Sequence, residues 1–228
     1  MRFKFIGRAA AAAFVLAVGI GLQAEPVVQC EFQPGKWPAD DFLNVKSWRW
    51  PNIGKFIQDK DHLVNACPAD ASPEEMLSKR VPETYAALLY KKALTGNHTV
   101  SATMSFDHRM APAIVIAEKP VLCDGRLHPE FRTHYEIVLY DRGLNIWRHW
   151  FFDGKQIWRK AGFLNVPFQP NTRYTLSVNI RPTNRGTLLT VRVGEYAFGI
   201  IDPEMPQNYY VGIIASEGVN RFYDFKIE

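Results

Sequence analysis

The sequence predicts an all-β fold, two antiparallel sheets packed as a jelly-roll sandwich, with one short helix near residues 72–80. Three observations carry this. From Thr84 onward the chain is a succession of short β-rich runs, evenly spaced and divided by turn residues. Tyr174, Leu176, Val178 and Ile180 alternate with Arg173, Thr175, Ser177 and Asn179, which marks one buried and one wet face. A chain of 228 residues, 47% of them hydrophobic, is large enough to close one sandwich domain and too apolar to be disordered.

The N-terminus reads as an export leader. Arg2, Lys4 and Arg8 form a basic region, Ala9 to Leu22 is apolar, and Gln23-Ala24-Glu25-Pro26 offers cleavage after Ala24. The apolar run is short for a bilayer span. The expected domains are therefore a signal peptide over 1–24 and a mature sandwich over 25–228, in the periplasm or outside the cell of a bacterium. Leu22 stands where a small residue is preferred, so a retained anchor is the alternative. Cleavage takes three of the 27 basic residues and leaves 24 against 23 acidic ones. With so even a balance, nothing directs the chain to nucleic acid or to an anionic membrane surface. A monomer is expected.

Residues 25–70, rich in Pro, Asp, Asn and Trp, read as short strands and loops. Ser72-Pro73-Glu74-Glu75 then opens a helix, with Ser as N-cap, Pro in the first turn and Glu at the third position. It ends near Arg80, before Val81-Pro82. The three cysteines allow at most one internal disulfide. Cys30–Cys67 is the first choice in an oxidising compartment, and three thiols including Cys123 the alternative. No C-x-x-C spacing supports zinc.

The stretch His134 to Lys160 is the most informative. Asp153-Gly154 is a two-residue hairpin turn that pairs Phe152 with Lys155, Trp150 with Ile157 and His149 with Trp158. At Asp141-Arg142-Gly143 one register pairs Tyr140 with Asn145 and Glu136 with His149, and another pairs Glu136 with Arg148. A one-residue slip exchanges the faces. The first register gathers Ile137, Leu139, Leu144, Ile146 and Trp150 on a core face. It leaves His134, Glu136, Tyr140, Asn145, Trp147, His149, Trp158 and Lys160 opposite. Indoles stack on the C–H faces of pyranose rings, and carboxylate, amide and imidazole groups bond hydroxyls, so that face suits sugar. The plainer reading has the two tryptophans in a core under the N-terminal loops and the histidines satisfied within the sheet.

The segments HYEIVLYDRGLNIWRHWFFDGK, YTLSVNIRPTNRGTLLTVRVGEYAFG and YYVGIIASEGVNRFYDFKI resemble the concanavalin A-like lectin/glucanase superfamily over about Val100 to Glu228. That resemblance implies two curved sheets with the ligand on one of them, in proteins that bind glycans, hydrolyse them or cleave uronate polymers. Its catalytic motifs are missing. Glu136 is followed by Ile137 and Val138, not by the acidic neighbour of a glucanase strand, and neither an R-x-E-x-R nor a Q-I-H strand is present.

Catalytic candidates therefore rest on the face. A hydrolase would pair Glu136 with Glu118 or Asp107. A lyase would use His134 or His149 as base, Tyr140 or Tyr135 as acid, and Arg132, Arg148 or Lys160 to offset charge. The lyase set fits the His, Tyr and Arg content better. Trp147, Trp158, Asn145, Arg132 and Lys160 are the expected substrate contacts. No cofactor is expected beyond a structural calcium at an acidic loop such as Asp202-Pro203-Glu204. Three functions stay open: a carbohydrate-cleaving enzyme, a non-catalytic lectin-like module, and an envelope protein that binds another protein.

Overall fold

The structure is a computed structural model and describes residues 26–50, 53–122 and 128–228. The leader expected over 1–24 and Cys123 lie outside the described residues. Among the described residues, no helix is long and apolar enough to cross a membrane.

The strands run β1 Val28–Glu31, β2 Phe42–Asn44, β3 Phe56–Gln58, β4 Leu63–Asn65, β5 Ala86–Tyr90, β6 Leu94–Thr95, β7 His98–Phe106, β8 Ala113–Ala117 and β9 His134–Tyr140. They continue as β10 Gly143–Phe152, β11 Lys155–Asn165, β12 Tyr174–Thr183, β13 Gly186–Val193, β14 Tyr196–Asp202, β15 Asn208–Ala215, β16 Asn220–Phe222 and β17 Asp224–Ile227. One antiparallel sheet of nine strands has the order β14-β13-β12-β7-β16-β4-β3, with β17 joining β7 and β1 joining β17. The other, of eight, has the order β11-β10-β9-β8-β15-β5-β2, with β6 on β15.

Alternation explains how the sheets pack. Leu176, Val178 and Ile180 point into the interior and are fully buried, as are Ile137, Leu139, Leu144 and Ile146 from the facing sheet. Each such side chain contributes about 1.5–3 kcal/mol by leaving water. Strand β8 is buried on both faces, which alternation alone does not require. Ile114 and Ile116 enter the main core, while Ala113, Val115 and Ala117 join a second cluster with Val45, Tyr85 and Phe131. The outward face of the eight-stranded sheet thus has its own apolar cover, drawn partly from the N-terminal third.

The helical segment is shorter than expected. The Ser72 capping box forms, with Ser72 Oγ accepting from Glu75 N, but the first helix, α1, stops at Met76. A second turn, α2, spans Val81–Thr84, with Pro82 near its start, where a missing N–H does no harm.

The expected Cys30–Cys67 disulfide does not form; both are free thiols. Cys30 is buried on β1, its thiol on the Phe225 carbonyl, and Cys67 takes a hydrogen bond from Asn65. Burial, then the charge of Asp224, pushes the Cys30 thiol up to about 12. Burial, then Asp107, pushes Cys67 up to about 11. Neither forms thiolate readily near neutral pH.

Candidate functional site

The two hairpins of β9, β10 and β11 build the site. Asp153 and Gly154 both have positive φ, 50° and 69°, as a type I′ turn requires, and set Phe152 against Lys155 and His149 against Trp158. The preceding turn is a two-residue one over Asp141 and Arg142. It pairs Tyr140 with Gly143, Trp147 with Glu136 and His149 with His134. This corrects the expected pairing of Tyr140 with Asn145 and Glu136 with His149 by two residues. An even slip leaves every side chain on its face. Between Ile146 and Trp147 the β10–β11 register shifts, leaving Ala161 as a bulge that tilts the strand end.

Glu136, Tyr140, Asn145, Trp147, His149 and Trp158 line one cavity of about 260 Å³ on the outward face. Its walls are completed by Ser47, Arg49 and Trp50 from the N-terminal third, Tyr85 beside α2, and Ser216 and Glu217 after β15. The tryptophans are not packed between the sheets: Trp158 is 47% exposed, and Trp147 is half-buried against the second cluster.

Beneath the cavity lies a charged centre. Cross-strand pairing puts the His134 and His149 rings in a parallel stack, centroids 4.4 Å apart and planes 5° apart. Glu136 spans them, with His134 Nε2 at 3.4 Å from one carboxylate oxygen and His149 Nε2 at 3.5 Å from the other. His134 does not line the cavity; its Nδ1 contacts the Arg132 carbonyl at 3.0 Å, and Phe131 flanks it at 5.0 Å. His149 is 3% exposed, and neither ring nitrogen has a hydrogen-bond partner among the described residues.

Burial alone would raise the Glu136 carboxyl. The His149 and His134 imidazoles outweigh it and hold the group well below the usual carboxylate range. Burial, opposed by Glu136 and reinforced by His149, lowers His134. Glu217 is shifted the other way. Burial first, then the charge of Glu136, raises its carboxyl, with Arg49 opposing.

The three ligating atoms of His134, Glu136 and His149 lie within 4.8 Å of one another, the spacing of a metal set. The stacked rings do not fit one ion. A nitrogen lone pair lies in its ring plane, and no point about 2.1 Å from both nitrogens can lie in two parallel planes this far apart.

Several expected residues sit elsewhere. Arg148 points to the opposite face, buried against Asp202 and Glu204, and Tyr135 donates to Asp202 at 2.8 Å. Neither reaches the cavity. The loop considered for calcium, Asp202-Pro203-Glu204, has its carboxylates engaged by that arginine and tyrosine. Asp107 is paired with Arg221, and Glu118, just after β8, is not in the lining, so neither stands beside Glu136 in the cavity. Arg132 stacks on Phe151 at 4.4 Å, and Lys160 lies over Trp147 and Phe163, each at 5.3 Å. Trp150, expected on the core face, is half-buried with Arg148 and Arg159 over its ring.

Sequence reasoning missed Glu217 and Arg49. Glu217 reads as a turn residue. In the structure it is held at φ +57°, with its N–H on Thr84 Oγ1 at 2.9 Å, so that it lines the cavity with Glu136. No local pattern in the sequence marks that placement. Arg49 belongs to the Trp48-Arg49-Trp50 run, whose docking on the sheet no local pattern encodes.

No family model matches the chain, and no curated protein matches it. Solved structures do. The carbohydrate-binding module CBM66 from Bacillus subtilis superposes with a TM-score of 0.56 at 11% identity, covering 82% of this chain and 95% of the module. A glycoside hydrolase family 16 endo-glucanase from Bacteroides ovatus gives 0.55 at 10% identity, covering 88% and 99%. Lectin II from Ulex europaeus gives 0.52 at 8%, covering 89% and 98%. Identities this low speak for architecture only. The chain has the concanavalin A-like jelly-roll fold.

Proposed function

We propose that the chain is a secreted carbohydrate-active protein that binds a saccharide in the outward-face cavity and hydrolyses its glycosidic bond. The observation that carries the reading is a pair of carboxyl groups with opposed environments lining one aromatic cavity. Glu136 is held ionised by imidazoles, and Glu217 is driven toward its protonated form by burial. Two carboxyl groups pushed apart in this way are suited to act as base and acid. Glu217 gives its proton to the leaving oxygen as the C–O bond breaks. Glu136, backed by His134 and His149, draws a proton from the attacking water. Trp147 and Trp158 present ring faces to the sugar, and Asn145, whose side-chain oxygen is buried without a partner, accepts from a hydroxyl. Carbohydrate-binding and glycoside hydrolase proteins among the fold relatives agree with this, as does the export leader expected over 1–24.

The test is reducing-end release from a panel of polysaccharides. Glu136→Gln and Glu217→Gln are each expected to lower turnover by about a hundredfold or more while leaving the chain folded. Release unchanged in both variants would sink the two-carboxyl mechanism.

A second reading is favoured by His149, whose ring nitrogens make no hydrogen bond among the described residues and which lines the same cavity as Tyr140. There His149 would take a proton next to a uronate carboxyl and Tyr140 would protonate the leaving oxygen, an elimination. Its mark is absorbance from an unsaturated product. Saccharide binding with neither product would leave a lectin-like module.

A further inference from the structure

Arg49 is the one guanidinium lining the cavity among the described residues, and its setting is unusual. Its central carbon lies 4.9 Å from the Trp158 ring centroid, 5.5 Å from Trp50 and 5.7 Å from Trp48. Trp48 and Trp158 also touch each other, at 6.0 Å. Three indoles therefore surround one cation, on a loop that closes over β11. Such contacts hold the exposed guanidinium among aromatic rings by cation–π attraction. They leave its N–H edge unspent. Among the described residues, Arg49 forms no ion pair, whereas Arg80, Arg148, Arg173 and Arg221 all do. An oriented cation with a free fork of donors matches two oxygens of one anion.

The acids nearby do not oppose this. Glu136 is already bracketed by the two histidines, at 3.4 and 3.5 Å, and burial raises the Glu217 carboxyl, which biases it toward a donor and away from a repelling charge. The cavity thus combines flat apolar walls for a sugar ring with one directed positive group at its rim.

We infer that the saccharide bound here is anionic, with a carboxylate or sulfate seated on the indole-caged Arg49. This rests on the saccharide reading above and narrows its substrate class. Neutral glucans would leave that cation unmatched.

Calorimetric titration of the mature chain tests it with three probes: uronate oligosaccharides, the same oligosaccharides after carboxyl reduction, and a sulfated oligosaccharide. An acidic probe is expected to bind about tenfold or more tightly than the reduced one, with the advantage shrinking in high salt. Whichever acidic probe gains identifies the anion. Arg49→Gln is expected to abolish the preference, so that acidic and reduced sugars bind alike. Arg49→Lys is expected to keep only part of it, because the charge remains and the fork is lost. Trp147→Ala, away from the cage, is expected to weaken all sugars equally. Equal binding of acidic and reduced probes by the parent chain would overturn the anionic assignment and leave the saccharide site standing. So would an Arg49→Gln chain that retains the preference. Binding of none of the three probes would overturn both.

Discussion

Glu217 follows β15 in a backbone region that favours glycine, next to Gly218, and lines the cavity together with Glu136. Burial and that neighbouring charge disfavour its ionised form, so the folded chain holds the Glu217 proton more tightly than the unfolded chain does. The stability from that proton is present in acid and is lost as pH rises through the folded value. Glu217→Gln, which never ionises, is therefore expected to melt with the parent near pH 4 and above it near pH 8. Identical melting curves at both pH values would show that the carboxylate ionises in the fold at no cost. A stabilised but inactive variant is what a group kept for chemistry produces. The Glu136, His134 and His149 centre was legible in the sequence because strand parity alone puts those residues on one face. Glu217 was not, because its position depends on Thr84 and Asn65, 133 and about 150 residues away, and no periodicity reports such a contact.

At the scale of the element, the β9–β10–β11 hairpins supply most of the cavity, and their turns are its weak points. Gly143 has φ +146°, and a Cβ there would sit 2.0 Å from the Leu164 carbonyl oxygen on β11. Gly143→Ala must push β11 off β10, at about 1–3 kcal/mol or more. Denaturant unfolding should show that loss, together with weaker saccharide binding, since Trp158 moves with β11. Unchanged stability would mean that the sheet edge yields freely. The faces of these strands were legible in the sequence but their register was not, because turns of two and four residues conserve parity while shifting partners. β11 also continues past Ala161-Gly162. In the structure the strand runs through a bulge there to Asn165.

Across the whole molecule, the N-terminal third is tied to the site by a buried amide. Asn65, 2% exposed, donates to the Thr84 carbonyl at 2.5 Å and to the Gly218 carbonyl at 2.9 Å, and accepts from Asn220 N at 2.8 Å. Three distant stretches of chain meet on one side chain, and Glu217 hangs from the same knot. Asn65→Ala leaves several buried groups unpaired and is expected to cost about 2–4 kcal/mol, read as a lower unfolding midpoint. Activity is expected to fall further than stability under conditions where the variant is folded. A variant as stable as the parent would show that water replaces the amide. The sandwich was legible from alternation and turns. That residues 45–50 and 81–85 roof the outward face was not, because packing between distant segments leaves no local mark.

None of the residues that line the cavity belongs to the cluster packed between the two sheets. The polar and stacking groups of the pocket stand apart from that inter-sheet cluster, while Tyr85, Ala113, Val138 and Ile214 of its floor belong to the second, outer cluster. The lining can be rewritten, one stacking ring or one charge at a time, without disturbing the interior that holds the chain together. A scaffold divided in this way is open to re-targeting, by natural drift or in the laboratory, toward new ligands.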